Sequence, residues 1–97
     1  MARRPTAAGS ALWRRAVVAD MRRTQRAFPT SDGRARLDAV ETGGPVEVSS
    51  GRLFRGLHLL GHRETADLFR ATGRGERWFV LDADDRLTEQ SPGQVTP

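Results

Sequence analysis

The stretch VEVSSGRLFRGLHLLGH, Val46 to His62, decides the fold, because the spacing of its apolar residues changes partway along it. Val46 and Val48 flank Glu47 in the two-residue alternation of a half-buried strand. From Ser49 onward the spacing becomes helical, with Leu53, Leu57 and Leu60 on one face at intervals of four and three residues. Ser49 or Ser50 is suited to cap that helix, since a serine oxygen accepts an amide hydrogen that the first turn leaves unpaired. Gly61 is suited to the left-handed position that closes it. Gly56 lies inside the helix at a cost of about 1 kcal/mol against alanine, which a close helix crossing there would offset.

Working outward, the clearest element upstream runs from Ser10, a predicted N-cap, through Leu12 to about Phe28, where Pro29 stops it. At about 100° per residue, Trp13, Val17, Met21, Thr24 and Phe28 share one face, while Arg15, Arg22 and Arg26 take the opposite one. Between Pro29 and Pro45, Thr30 to Gly33 reads as a turn, Leu37 and Val40 anchor an optional short helix, and Gly43-Gly44-Pro45 is a break. Downstream of Gly61, His62 to Thr72 reads as a helix closed by Gly73. On it Thr65, Leu68, Phe69 and Thr72 face inward and Arg63, Asp67 and Arg70 face outward at ion-pair spacing. Arg77 to Leu81 is rich in strand formers, Asp82 to Asp85 make a turn, and Arg86-Leu87-Thr88 return as a hairpin.

The expected fold class is α+β: a small three-helix domain with a C-terminal β-hairpin over residues 10–88, preceded by a flexible Arg-containing arm at 1–9 and followed by a flexible tail at 89–97. Its element order is winged-helix-like, an order that small α+β domains without a nucleic-acid role also show.

Composition excludes several chemistries. The chain has 97 residues, enough for one domain, and no cysteine, so a disulfide scaffold, a thiolate nucleophile and thiolate-bound metal are ruled out. No apolar run reaches the length of a membrane span or a secretory core, and a cytoplasmic location with no membrane partner is expected. All sixteen basic side chains are arginine, and Lys, Ile, Asn and Tyr are also missing. A high-G+C bacterial genome accounts for these four absences together, so the choice of arginine over lysine carries no functional meaning.

The placement of the arginines does. Residues 1–36 hold nine Arg against two Asp, a net +7, whereas residues 37–97 hold seven Arg against ten acids, a net −3. A guanidinium fork bonds two phosphate oxygens at once, and clustered arginines release counterions from a nucleic-acid backbone. Arg15, Arg22, Arg23 and Arg26 on the first helix, with Arg3 and Arg4 as an arm, are the candidate nucleic-acid-binding residues. The alternative is an acidic protein partner, or a homodimer, in which the basic helix meets an acidic half such as that of residues 37–97; an accessory subunit, an inhibitor or an antitoxin-like protein would work this way. Two features oppose DNA contact through the winged-helix elements themselves: the second helix of the turn interleaves Arg63 and Arg70 with Glu64 and Asp67, and the hairpin tip carries Asp82, Asp84 and Asp85.

No constellation supports catalysis, so a non-enzymatic regulatory role with no cofactor is expected. His58 and His62 have the i, i+4 spacing of metal ligands, but Gly61 breaks the helix between them and no third ligand is in position. Phe79 to Thr88 resembles the first motif of haloacid-dehalogenase-type phosphatases, an apolar strand ending in Asp82-x-Asp84. The resemblance covers about ten residues, the usual Gly-Thr is replaced by Asp85-Arg86, and nine residues follow Thr88, so the expected reading is a hairpin turn. Trp13 and Trp78 are suited to base stacking, yet each stands among apolar residues at core spacing.

Overall fold

A computed structural model describes residues 11–70 and 75–90, which form a small α+β domain of four helices and a three-stranded antiparallel sheet. In chain order the elements are α1 (Leu12–Ala27), α2 (Ser31–Glu41), β1 (Val46–Ser49), α3 (Ser50–Leu59), α4 (Arg63–Asp67), β2 (Trp78–Leu81) and β3 (Leu87–Glu89). The expected cap at Ser10, the helix end at Thr72 and Gly73, the N-terminal arm and the tail beyond Gln90 lie outside the described residues.

Local chemistry explains most of the boundaries. The Ser49 side chain accepts from the Arg52 amide at 3.2 Å and Glu76 accepts from the Gly51 amide at 2.8 Å, so two unpaired amides at the start of α3 find partners. Buried Ser50 ties the same point to the sheet, since its amide donates to the Arg77 carbonyl and its hydroxyl accepts from the Arg77 amide. Gly61 closes α3 with φ +86, as expected. Residues 30–33, read as a turn, instead open a full helix, because Thr30 Oγ1 accepts from the Gly33 amide at 2.9 Å and caps α2. The domain therefore has four helices where three were expected, and Leu37 and Val40 do bury as its anchors.

α1 crosses α3 at the centre of the molecule. Ala16, Val17, Leu53 and Leu57 are fully buried where the two helices meet, and the inner face of the sheet adds Val48, Phe79 and Leu81. β1 pairs with β2 in the register Val48 to Phe79, and β3 pairs with β2 in the register Leu81 to Leu87. The ring of Phe69 closes the core edge-on to both Trp13 and Phe79, at 5.5 and 5.2 Å between centroids. Gly56 permits the crossing: a Cβ there would lie deep inside van der Waals contact with the Ala16 carbonyl.

Expectations on facing fail at Leu68, Phe28, Thr24 and Trp78, all of which are exposed. α4 ends at Asp67, five residues long, because the following amides of Leu68, Phe69 and Arg70 turn back three residues rather than four. That tighter winding carries Phe69 into the core and leaves Leu68 65% exposed instead of inward. Phe28, expected on the apolar face of α1, is 74% exposed. The sixteen residues of α1 span about 24 Å and the ten of α3 about 15 Å, so the last turns of α1 run past the helix that would have covered them.

The hairpin turn is held by an aspartate, as the sequence suggested. Asp82 Oδ1 accepts from the Asp84 and Arg86 amides at 2.8 and 3.0 Å, and Asp85 adopts φ +65. Beyond it the return strand runs one residue past the expected domain end, with Glu89 bridged to the Arg77 guanidinium at 2.9 Å through both oxygens. The Arg86 amide holds the Asp82 carboxyl below its ordinary range, and the Arg77 fork does the same for Glu89.

Substituting Gly56→Ala is expected to destabilise the domain by about 3 kcal/mol, the upper end for overpacking, because the new methyl meets backbone and not a movable side chain; urea denaturation measures this. For the two depressed carboxyls the stabilisation is present above the unfolded value of roughly pH 4 and is lost as pH falls through the lower folded values. Thermal melts from neutral to acid pH should therefore show a smaller acid loss in Asp82→Asn, which keeps the accepting oxygen but has no charge to titrate.

Candidate functional site

The arginines divide into those spent inside the fold and those left at its surface. Arg14, with a side chain only 12% exposed, donates from Nε to Asp85 at 2.6 Å, from Nη1 to the carbonyls of Val40 and Gly44, and from Nη2 to the carbonyl of Asp82. It thereby joins α1 to the end of α2 and to the hairpin turn. Asp20, 1% exposed, receives Arg52 and Arg55 of α3: Nη1 of Arg52 and Nη2 of Arg55 donate to Oδ2 at 3.0 and 3.2 Å, and Nε of Arg55 to Oδ1 at 3.2 Å. Arg77 is held by Glu89 and by the Leu68 carbonyl, and also stands 5.2 Å over the Phe79 ring. These four guanidinium groups are structural.

Of the other described arginines, Arg15, Arg22, Arg23, Arg26, Arg34 and Arg36 lie along α1 and α2, whereas Arg63, Arg70 and Arg86 lie at α4, just after it and at the hairpin. Arg15, Arg22 and Arg26 recur at intervals of seven and four residues, turned away from buried Ala16, Val17 and Asp20, and span about 17 Å of helix. Because α2 folds back along α1, two shallow concavities lie beside this stripe. One, of about 400 Å³, is lined by Arg22, Gln25, Arg26, Arg34, Leu37 and Glu41. The other, of about 500 Å³, is lined by Arg14, Arg15, Val18, Ala19, Arg22 and Leu60 among others. Arg22 and Glu41 border both, joined by Nε and Nη2 donating to a single Glu41 oxygen at 2.8 and 2.6 Å. The second Glu41 oxygen takes no part in that pair.

Arg22 and Arg26 thus line the first concavity and Arg15 and Arg22 the second, so that Arg22 is the arginine of the stripe the two share. Arg23 is exposed but lies about 100° around the helix from Arg22 and borders neither concavity; Arg3 and Arg4 lie outside the described residues. Arg34, which was not singled out in the sequence, completes the groove from α2, paired loosely with Asp38 at 3.8 Å. Arg15 and Arg26 make no ion pair among the described residues. Two further readings can be placed. Exposed His58 packs against the Phe54 ring at 4.6 Å, and among the described residues no three His, Asp or Glu side chains gather as a metal site. Trp13 is partly buried against Phe69, whereas Trp78 is 42% exposed on the outer face of the sheet.

No family model matches the chain, and no curated protein or solved structure matches it. Among the described residues no helix is long and apolar enough to cross a membrane.

The division of arginines makes a stability prediction. Arg14→Ala strips donors from three carbonyls and a carboxylate at once and is expected to cost about 2–3 kcal/mol, whereas Arg22→Ala removes an exposed pair and should cost less than about 1 kcal/mol. Equal losses for the two variants in chemical denaturation would show that the division is misdrawn.

Proposed function

We infer that the chain is a small non-enzymatic binding protein whose groove between α1 and α2 takes up the phosphate backbone of a nucleic acid. One observation carries this reading: Arg22, Arg26 and Arg34 line one concavity and Arg15 and Arg22 an adjoining one on packed helices, while Arg14, Arg52, Arg55 and Arg77 are consumed by internal partners. A purely solvated helix face has no need of a concavity, and guanidinium forks presented along one suit phosphate oxygens. The winged-helix-like element order agrees with a DNA partner at the level of fold analogy alone. In this reading phosphates meet α1 and α2, because α4 has only five residues of mixed charge, and on the hairpin Asp82 is engaged in its own turn and Asp85 by Arg14. Regulation through DNA occupancy is the role such a domain would serve.

A protein partner or homodimer is the second reading, and exposed Trp78 on the outer face of the sheet is the feature that favours it.

Fluorescence anisotropy with a labelled DNA oligonucleotide tests the first reading. The logarithm of affinity should fall with the logarithm of salt at a slope of about −3, matching three to four phosphates at ~0.7–0.9 each. The Arg15→Ala, Arg22→Ala, Arg26→Ala triple variant should flatten that slope by about 2. Glu41→Gln, which frees Arg22 from its carboxylate, should bind more tightly than the parent. Absence of binding at low salt overturns the reading and leaves the Trp78 surface as the better guide.

A further inference from the structure

Among the described residues two arginines are paired with a glutamate, and the two pairs are built differently. Arg77 makes the full fork with Glu89, Nε donating to one carboxylate oxygen and Nη2 to the other, each at 2.9 Å. Arg22 sends both Nε and Nη2 to the same Glu41 oxygen, at 2.8 and 2.6 Å. Two donors that converge on one oxygen lack the two-oxygen match that makes guanidinium pairs strong.

The place of Glu41 weakens its pair further. Glu41 is the last residue of α2, at the end where the helix dipole disfavours a carboxylate. The side chains of Arg22 and Glu41 are 58% and 31% exposed, so water screens their attraction. Both residues nonetheless border both concavities, with Arg26 and Arg34 in one and Arg15 in the other. A carboxylate thus occupies the one arginine of the α1 stripe that the two concavities share. A backbone that runs from one concavity to the other meets Arg22, and with it Glu41, on the way.

We propose that Glu41 is an internal competitor for the anion: its carboxylate occupies Arg22 in the free protein, and a nucleic-acid phosphate that offers Arg22 two oxygens displaces it. This deepens the nucleic-acid reading and rests on it. With Glu41 displaced, Arg22 joins Arg15 on one side and Arg26 and Arg34 on the other along one backbone.

A double-mutant cycle read by anisotropy with labelled oligothymidylate tests this, with circular dichroism to check that each variant keeps its helices. Glu41→Gln is expected to tighten binding about two- to fivefold, the size of an exposed ion pair. In an Arg22→Ala background most of that gain should vanish, because the arginine that Glu41 occupies is already gone. Asp32→Asn removes the same charge from α2 beside Arg36, which lines neither concavity, and should bind as the parent does. If Glu41→Gln gives no gain, or gains as much with Arg22→Ala as without it, or no more than Asp32→Asn, competition at Arg22 is overturned and the nucleic-acid reading stands. If neither the parent nor Glu41→Gln binds oligothymidylate at low salt, or phosphatidylglycerol vesicles bind and oligothymidylate does not, both are overturned.

Discussion

The structure depends on how closely α1 can lie against α3. At the crossing, Gly56 leaves room for the Ala16 carbonyl, and one turn along α1 the Asp20 carboxylate is buried under Arg52 and Arg55. The two contacts differ in kind. The first is steric and sets the separation of the helices. The second is electrostatic and sets their register, because a carboxylate 1% exposed needs its partners in place to offset the loss of hydration. A chain with few large core residues and no cysteine gains specificity from such a pair, since the alternative arrangements of α1 would bury a charge without a partner.

That lock also decides what the arginine-rich helix presents. With Ala16, Val17 and Asp20 committed to α3, the opposite side of α1 can only face α2 and solvent. Arg14 then fastens the far ends of α2 and the hairpin to α1 through four hydrogen bonds. The strong positive charge of the first third of the sequence is therefore not uniformly available. Among the described residues, Arg14 is absorbed in holding the layers together, Arg36 is paired loosely at the surface, Arg23 is exposed away from both concavities, and Arg15, Arg22, Arg26 and Arg34 border them. Net charge by segment overstates the binding face, and the distinction rests on which guanidinium groups have buried acceptors.

Features set by neighbouring residues were legible before the structure was in view. A serine cap at 49 or 50, the glycine at 61, the strand at Val46 to Val48 and the aspartate turn at Asp82 all follow from short-range backbone chemistry. The stripe of Arg15, Arg22 and Arg26 was legible because helical spacing is also local. What escaped was set by residues distant in sequence. Asp20 falls in the apolar register of α1, and an acid there signals a buried partner, but no local rule names Arg52 and Arg55, thirty-two and thirty-five residues away. Arg14 flanks the apolar stripe rather than opposing it, a signal that only its acceptors on α2 and the hairpin make plain. Arg34 joins the groove only because Thr30 starts a helix that folds back on α1. Phe28 was assigned to the core because periodicity does not register that the neighbouring helix has already ended.

If a nucleic acid engages this surface, the guanidinium groups of Arg22, Arg26 and Arg34 meet its phosphates and the four internally held ones do not. Nuclear magnetic resonance of the arginine Nε–Hε signals during titration with oligothymidylate tests it most directly. The signals of Arg22, Arg26 and Arg34 are expected to shift and saturate together while those of Arg14, Arg52, Arg55 and Arg77 stay in place. Shifts centred on Arg63, Arg70 or Arg86, on the second helix of the turn and the hairpin, would contradict it.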